Sequence, residues 1–226
     1  MKHPNIIKIV CHDIGRHLGC YGVKSINSNA IDTLAKNGIL FKNSFATSPG
    51  CSPSRAAIAT GMYPHNTGVL GLAHAHFGWS LDKKINHIAK YFSKNGYTSI
   101  LFGLQHVTYH EKTLGFNKIF PERPADEVLK NITKIIDSKI FKKPFYAEVN
   151  FFEPHRPFDY GGVKPDKSKG VYIPKYIPKN IYSRREFAEM QGAIKKMDNT
   201  VFKIINLLKK KNLYENTIIV FTTDHG

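Results

Sequence analysis

"NIIKIVCHD" (residues 5–13) is a nearly unbroken apolar run that ends abruptly in an imidazole and a carboxylate. A short, β-branched run of this kind reads as a buried strand. Similar runs recur downstream as "ILFKNSFA" (39–46), "YTSILFG" (97–103), "KPFYAEVNFF" (143–152) and "NTIIVFTTDHG" (216–226). Helical patterns fall between them: "NAIDTLAKNG" (29–38), "DKKINHIAKYFSKNG" (82–96), "ADEVLKNITKIIDSKIF" (125–141) and a long helix over 183–212. A loop rich in Pro, Gly and Lys separates the last strand pair over 153–182. Strand alternating with helix predicts an α/β fold, with a mostly parallel central sheet flanked by helices on both faces.

In such sheets ligands bind beyond the carboxyl ends of the strands. The residues expected there are His12 and Asp13, Gln105 and His106, residues 153–156, and Asp224 and His225. Four strands thus deliver acids and imidazoles to one edge. Asp, His and Gly also end strands as plain turn residues, but four coincidences together favour a shared site.

One further stretch carries chemistry. "TSPGCSPSRAAIATG" (47–61) puts Cys51 just before a helical run, with Ser52 as a cap and Pro53 in the first turn. The helix dipole and free N–H groups favour negative charge there. Arg55 lies about one turn on and adds a full positive charge. The expectation is a thiol of lowered pKa and a site for a tetrahedral anion.

Cys51-Ser52-Pro53-Ser54-Arg55, followed by Thr60-Gly61, resembles the type I sulfatase signature C-x-P-S-R-x-x-x-x-T-G at every fixed position. The resemblance spans the chain. Residues 3–22 look like that family's first strand and metal loop. "GLQH" (103–106) stands in the place of G-K-x-H, "EPHRPF" (153–158) resembles a second histidine motif, and residues 218–226 resemble the second metal strand. The order is most similar to the sulfamidase (N-sulfoglucosamine sulfohydrolase) branch of the alkaline phosphatase superfamily. The resemblance implies an alkaline-phosphatase-like fold. Residues 1–226 would be the N-terminal portion of a longer catalytic domain, because the chain stops on "DHG" directly after a strand.

The resemblance also implies a reaction. In the family, a separate maturation enzyme oxidises the cysteine to formylglycine. The aldehyde is hydrated; one hydroxyl attacks sulfur, and deprotonation of the other releases sulfate. Cys51, Arg55, His106 and His155 would be catalytic. The metal, calcium by resemblance with magnesium second, would be held by Asp13, Asp224, His225, the modified Cys51 and His12. Arg156 and His76 would bind substrate. The chain departs from the family pattern in three places. His12-Asp13 replaces Asp-Asp, Asp224-His225 replaces Asp-Asn, and Leu104 takes the place of a sulfate-binding lysine. Imidazole in place of carboxylate lowers the charge of the site and suits a softer metal.

Composition narrows the partners. The 33 Lys+Arg against 17 Asp+Glu give a net charge of +16, a field that attracts anions. The lysines are scattered apart from "KKK" at 209–211, so nucleic acid is not expected. Sulfated small molecules or oligosaccharides are, together with the maturation enzyme. No run approaches the roughly 20 apolar residues of a membrane span, and the start lacks a leader pattern. The chain as it stands therefore reads as cytoplasmic, or periplasmic or secreted if a leader has been removed. Cys11, Cys20 and Cys51 form no CxxC pair or zinc spacing. Two alternatives stay open: a phosphonate monoester or phosphodiester hydrolase of the same superfamily, and an inactive truncated fragment.

Overall fold

The computed structural model describes residues 3–74, 76, 78–138, 141 and 144–226. Its first strand, β1 (Asn5–Cys11), is the buried run that opens the chain. It lies between β4 (Phe145–Asn150) and β5 (Thr217–Thr223), paired in parallel with both. β4 continues to β2 (Thr98–Gly103), and β2 to the short β3 (Lys118–Phe120), again in parallel. The order β3-β2-β4-β1-β5 gives a five-stranded, all-parallel sheet.

Helices cover both faces. Ile7, Ile9 and Cys11 of β1, with Ile100, Phe102, Ala147 and Val149, pack against α5 (Ala125–Ile135) and α6 (Ile181–Lys210). α1 (Asn29–Asn37) joins this layer, its first N–H groups capped by the buried Asp198 of α6 at 3.1 and 2.9 Å. On the opposite face lie α2 (Cys51–Thr60), the one-turn α3 (Pro64–Thr67) and α4 (Ile88–Lys94). A smaller core there joins Ala56, Val69, Leu81, Val107 and Leu114. That face of the sheet holds a buried ion pair among apolar residues such as Val10 and Leu101: Lys8 sits directly across from Glu148 in the β1–β4 register, at 2.9 Å. No helix among the described residues is long and apolar enough to cross a membrane.

Several predicted elements shift. Residues 39–46 form no strand. Ile39, Phe41 and Phe45 are 82%, 69% and 87% exposed, so their β-propensity finds neither a neighbouring strand nor a buried face. β3, by contrast, is three residues long, too short to leave a periodic trace. The helix expected over 82–96 begins only at Ile88. Asp82 instead accepts from Lys84 and Ile85 in a turn, and His87 caps the helix by accepting from the Ala89 N–H at 3.1 Å. α5 ends at Ile135, and α6 starts at Ile181 because Asn180 and Ser183 form a reciprocal capping box. In α2 the cap is Gly50 rather than Ser52, whose hydroxyl accepts from the Ala73 N–H at 3.0 Å.

Candidate active site

Parallel strands point their carboxyl ends the same way, so β1, β2, β4 and β5 deliver their following residues to one edge. Sharp backbone turns set the side chains there. Asp13 and His106 adopt left-handed φ values of +52° and +62°, and Gly103 one of +86° at the end of β2. A side chain at Gly103 would lie 1.8 Å from the Asn150 carbonyl, so β2 and β4 close together where the site begins.

Cys51 stands at the first position of α2, beneath this edge. Its Sγ is 3.3 Å from His225 Nε2 and 3.9 Å from Asp13 Oδ1. His225 Nε2 in turn lies 3.1 Å from Asp13 Oδ1. Behind them Asp224, buried, receives Arg55 Nε–H at 2.9 Å and the backbone N–H groups of Asp13 and His225 at 3.1 and 2.9 Å. The Ser54 hydroxyl donates to the Asp224 carbonyl. His12 Nδ1 approaches Asp224 Oδ2 to 3.0 Å, off the line of a hydrogen bond, so that contact is electrostatic. The donor atoms of His12, Asp13, Cys51 and Asp224 all lie within 4.8 Å of one another, as do those of His12, Cys51 and His155.

His155 is half-buried. Its Nδ1 donates to the Arg156 carbonyl at 2.5 Å, which leaves Nε2 facing Asp13 Oδ2 at 3.9 Å. Its ring meets that of His12 edge-on at 5.1 Å. His106 stacks on His74 with centroids 4.5 Å apart, Nε2 against Nδ1, and lies 6.2 Å from the His12 ring. The edge thus brings together Cys51, Arg55, His12, Asp13, Asp224, His225, His155 and His106. Arg156 turns outward instead, with its guanidinium 2.6 Å from Glu186 and over the Phe158 ring. His76 is an exposed residue two positions beyond His74. Gln105 is a turn staple: its side chain accepts from the Val107 and Thr108 N–H groups and donates to the Thr108 carbonyl.

The electrostatics overturn one expectation. The Cys51 thiol is not acidified; burial first, then the Asp224 and Asp13 carboxylates, push it up to about 12 against the pull of Arg55. Helix dipole and guanidinium lose to desolvation and two carboxylates. Burial, reinforced by Arg55, lowers His12 to about 4 and His106 to about 3, so both imidazoles are neutral at pH 7. Burial alone would raise the Asp224 carboxyl, but His12 and Arg55 outweigh it and hold it well below the carboxylate range.

Among the buried polar atoms at this edge with no hydrogen-bond partner are Arg55 Nη2, both ring nitrogens of His12 and His106 Nδ1. Such atoms are costly to leave unpaired and point to a missing ligand. Two carboxylates, neutral imidazoles and a position-51 side chain form a donor set that fits a divalent cation. A cleft of about 970 Å³ lies to one side, between α1, α2 and β5, and meets this cluster through Ser54, Asp224 and His225. The sequence marks His74 as one of a loop group that could line the substrate pocket, but not its stacking on His106, which lies 32 residues away. The imidazole in "HAHFGW" was its only signal.

The sulfatase family model matches residues 4–226. Human N-sulphoglucosamine sulphohydrolase is 26% identical over 253 residues, covering 98% of this chain and 50% of that protein. An ulvan-active sulfatase of Formosa agariphila is 30% identical over 236 residues, covering 100% of this chain and 45% of that protein. The phosphonate monoester hydrolase of Agrobacterium radiobacter shares the fold, with a TM-score of 0.76 at 20% identity over 99% of this chain and 63% of that one. The chain spans about half the length of the curated relatives it matches.

Proposed function

The chain belongs to the sulfatase family, and on that premise we propose that it supplies the catalytic centre of a sulfate ester or sulfamate hydrolase acting on a sulfated sugar or oligosaccharide. The observation that carries this reading is Cys51 at the start of α2, in contact with His225 and Asp13 and backed by the Arg55–Asp224 pair. A thiol pushed up to about 12 is a poor nucleophile at neutral pH. Oxidation of Cys51 to formylglycine by a maturation enzyme removes that obstacle. The hydrated aldehyde supplies one hydroxyl to attack sulfur and a second whose deprotonation lets sulfate leave.

The surrounding residues divide the remaining work. Asp13, Asp224, His225 and the modified residue 51, with His12 beside them, would hold a divalent cation, calcium in the first instance. When bound, the cation supplies positive charge to sulfate oxygens and to the nucleophile. Arg55 is fixed by Asp224 and by the Leu104 carbonyl at 3.4 Å, and its unpartnered Nη2 is free to donate to an anionic oxygen. His106, kept neutral by burial, has Nδ1 available to accept a proton. His155 Nε2 faces the cluster because Nδ1–H is held by the Arg156 carbonyl, and in the imidazolium form, with both nitrogens protonated, it is the candidate proton donor to the leaving group. Arg156 and His76 lie further out and would meet the rest of the substrate.

The two relatives named for N-sulphoglucosamine and for ulvan support a sulfated carbohydrate substrate. The test is sulfate release from an aryl sulfate and from N- and O-sulfated glucosamine, with mass spectrometry of the peptide containing residue 51. Activity should track the aldehyde and disappear with a chelator. Full activity with an intact Cys51 thiol overturns the mechanism. Faster turnover of a phosphonate monoester than of any sulfate reassigns the substrate.

A further inference from the structure

Glu153 is nearly fully buried at 1% exposure and sits two residues before His155, yet its carboxylate takes no part in the proposed chemistry. Its Oε2 accepts the Ala125 N–H at 3.0 Å, at the first turn of α5. Its Oε1 lies 3.1 Å from Lys196 Nζ, in the middle of α6. The same ammonium is 3.2 Å from Asp126 and 3.4 Å from the Gly161 carbonyl. One cation therefore gathers α5, α6 and both ends of the turn 153–161 that carries His155. The strand end is tied as well, through Phe152 N–H to the Arg123 carbonyl at 3.0 Å and His155 N–H to the Phe152 carbonyl at 2.9 Å.

We propose that the Lys196–Glu153 pair is a positioning device for His155, fixing where its Nε2 stands relative to Asp13 and the leaving group. The inference rests on the role proposed above for His155 as proton donor. Two things favour positioning over plain stability. The pair is anchored to the turn by both its carboxylate and its ammonium, and among the described residues the His155 ring has only Phe152, at 5.2 Å, and His12, at 5.1 Å, as aromatic neighbours. A small displacement of a proton donor costs rate steeply, on the order of 100-fold for about 1 Å.

The test uses Lys196→Met and the milder Glu153→Gln, which keeps an acceptor for Ala125, with Lys196→Arg as the conservative variant and Lys203→Met on exposed α6 surface as control. Hydrogen–deuterium exchange of residues 151–160 is read first and needs no activity. Exchange there should accelerate about tenfold or more in Lys196→Met and Glu153→Gln and stay unchanged in Lys203→Met. Unchanged exchange in both variants sinks the device whatever the enzyme does. Kinetics then follow on two sulfates. For a sulfate ester of a weakly acidic alcohol, kcat should fall about 10- to 100-fold with KM within about twofold. For an aryl sulfate, whose leaving group needs no proton, it should fall less than about threefold. Lys196→Arg should recover most of the loss, and Lys196→Met should add nothing in a His155→Ala background. Equal losses on both sulfates, or full additivity with His155→Ala, reduce the pair to a structural role. A wild-type protein inactive on every sulfate overturns the proposed function instead, and the exchange result still decides the device.

Discussion

At pH 7 to 8 a thiol pushed up to about 12 by burial and by the Asp224 and Asp13 carboxylates is protonated almost completely. Against its ordinary value of 9.0, it holds on the order of a thousand-fold less thiolate. Iodoacetamide at pH 7.5 should therefore leave unoxidised Cys51 unlabelled in the folded chain and label it on unfolding, as read by peptide mass spectrometry. Native labelling as fast as that of the unfolded chain would refute the burial argument. Arg55 gives a second prediction. Replacing it by Met leaves Asp224 buried with only His12 and backbone N–H groups around it, and breaking such a pair costs roughly 3–5 kcal/mol. Denaturant unfolding should register that loss. Arg55→Lys should lose less, because one ammonium restores the charge but not both contacts to Asp224 and the Leu104 carbonyl. Most of these residues were legible in the sequence. Cys51, Asp13, Asp224 and His225 stand at strand or helix ends, where the chain itself announces them, and Arg55 follows one turn into α2. Their protonation was not. The sign of the Cys51 shift depends on how deeply α2 is covered and on two carboxylates that arrive from strands far apart in the chain.

Strands and helices of full length were readable because burial imposes a period; boundaries were set by caps and turns that composition hides. Residues 39–46 have the composition of a strand without a partner, whereas β3 has a partner without enough residues to show a pattern. The buried ion pair of the sheet was also invisible, since Lys8 and Glu148 become neighbours only through the β1–β4 register. Burial alone would raise the Glu148 carboxyl, but Lys8 outweighs it, helped by hydrogen bonds from Lys8 and Tyr146, and the group falls to about 2. Its ordinary value is 4.5, so its contribution is complete above about pH 4.5 and is lost as pH falls through about 2. The difference corresponds to roughly 3 kcal/mol. Burial lowers His87 on the same face to about 4 from 6.5; there the unfolded chain takes up the proton first, and stability declines as pH falls from 6.5 towards 4. Denaturant melts across pH 2 to 7 should show both slopes. Glu148→Gln should flatten the lower one while keeping the upper. At the end of β2, Gly103→Ala should be severe. It combines a left-handed φ with a Cβ 1.8 Å from the Asn150 carbonyl, so β2 and β4 must part just where His106 is delivered. Loss of cooperative thermal unfolding, or a Tm lower by more than about 10 °C, is expected; a wild-type Tm would contradict the close approach.

For the molecule as a whole, the outer surface of β5 is the feature that its own packing leaves unsettled. Among the described residues β5 pairs only with β1, so one edge offers free N–H and C=O groups. Along it Ile218 and Val220 are 51% and 44% exposed, and the nearby cleft is bordered by the exposed Ile39, Phe41 and Phe45. An unpaired edge with alternating apolar side chains is a template for pairing with another chain. A contiguous apolar surface beside it adds a hydrophobic drive to associate. The high positive charge opposes this, but by a long-range repulsion that salt screens within about 10 Å at 0.1 M. The 226-residue chain by itself should therefore associate reversibly, more strongly as salt is raised. Sedimentation over a concentration series at low and high salt measures this directly. Val220→Lys and Ile218→Lys place charges on the free edge and should return the chain to a monomer without moving Asp224 or His225, which follow beyond the end of the strand. A monomer at every concentration and salt would mean that exposed apolar area and an open edge do not outweigh charge in this protein.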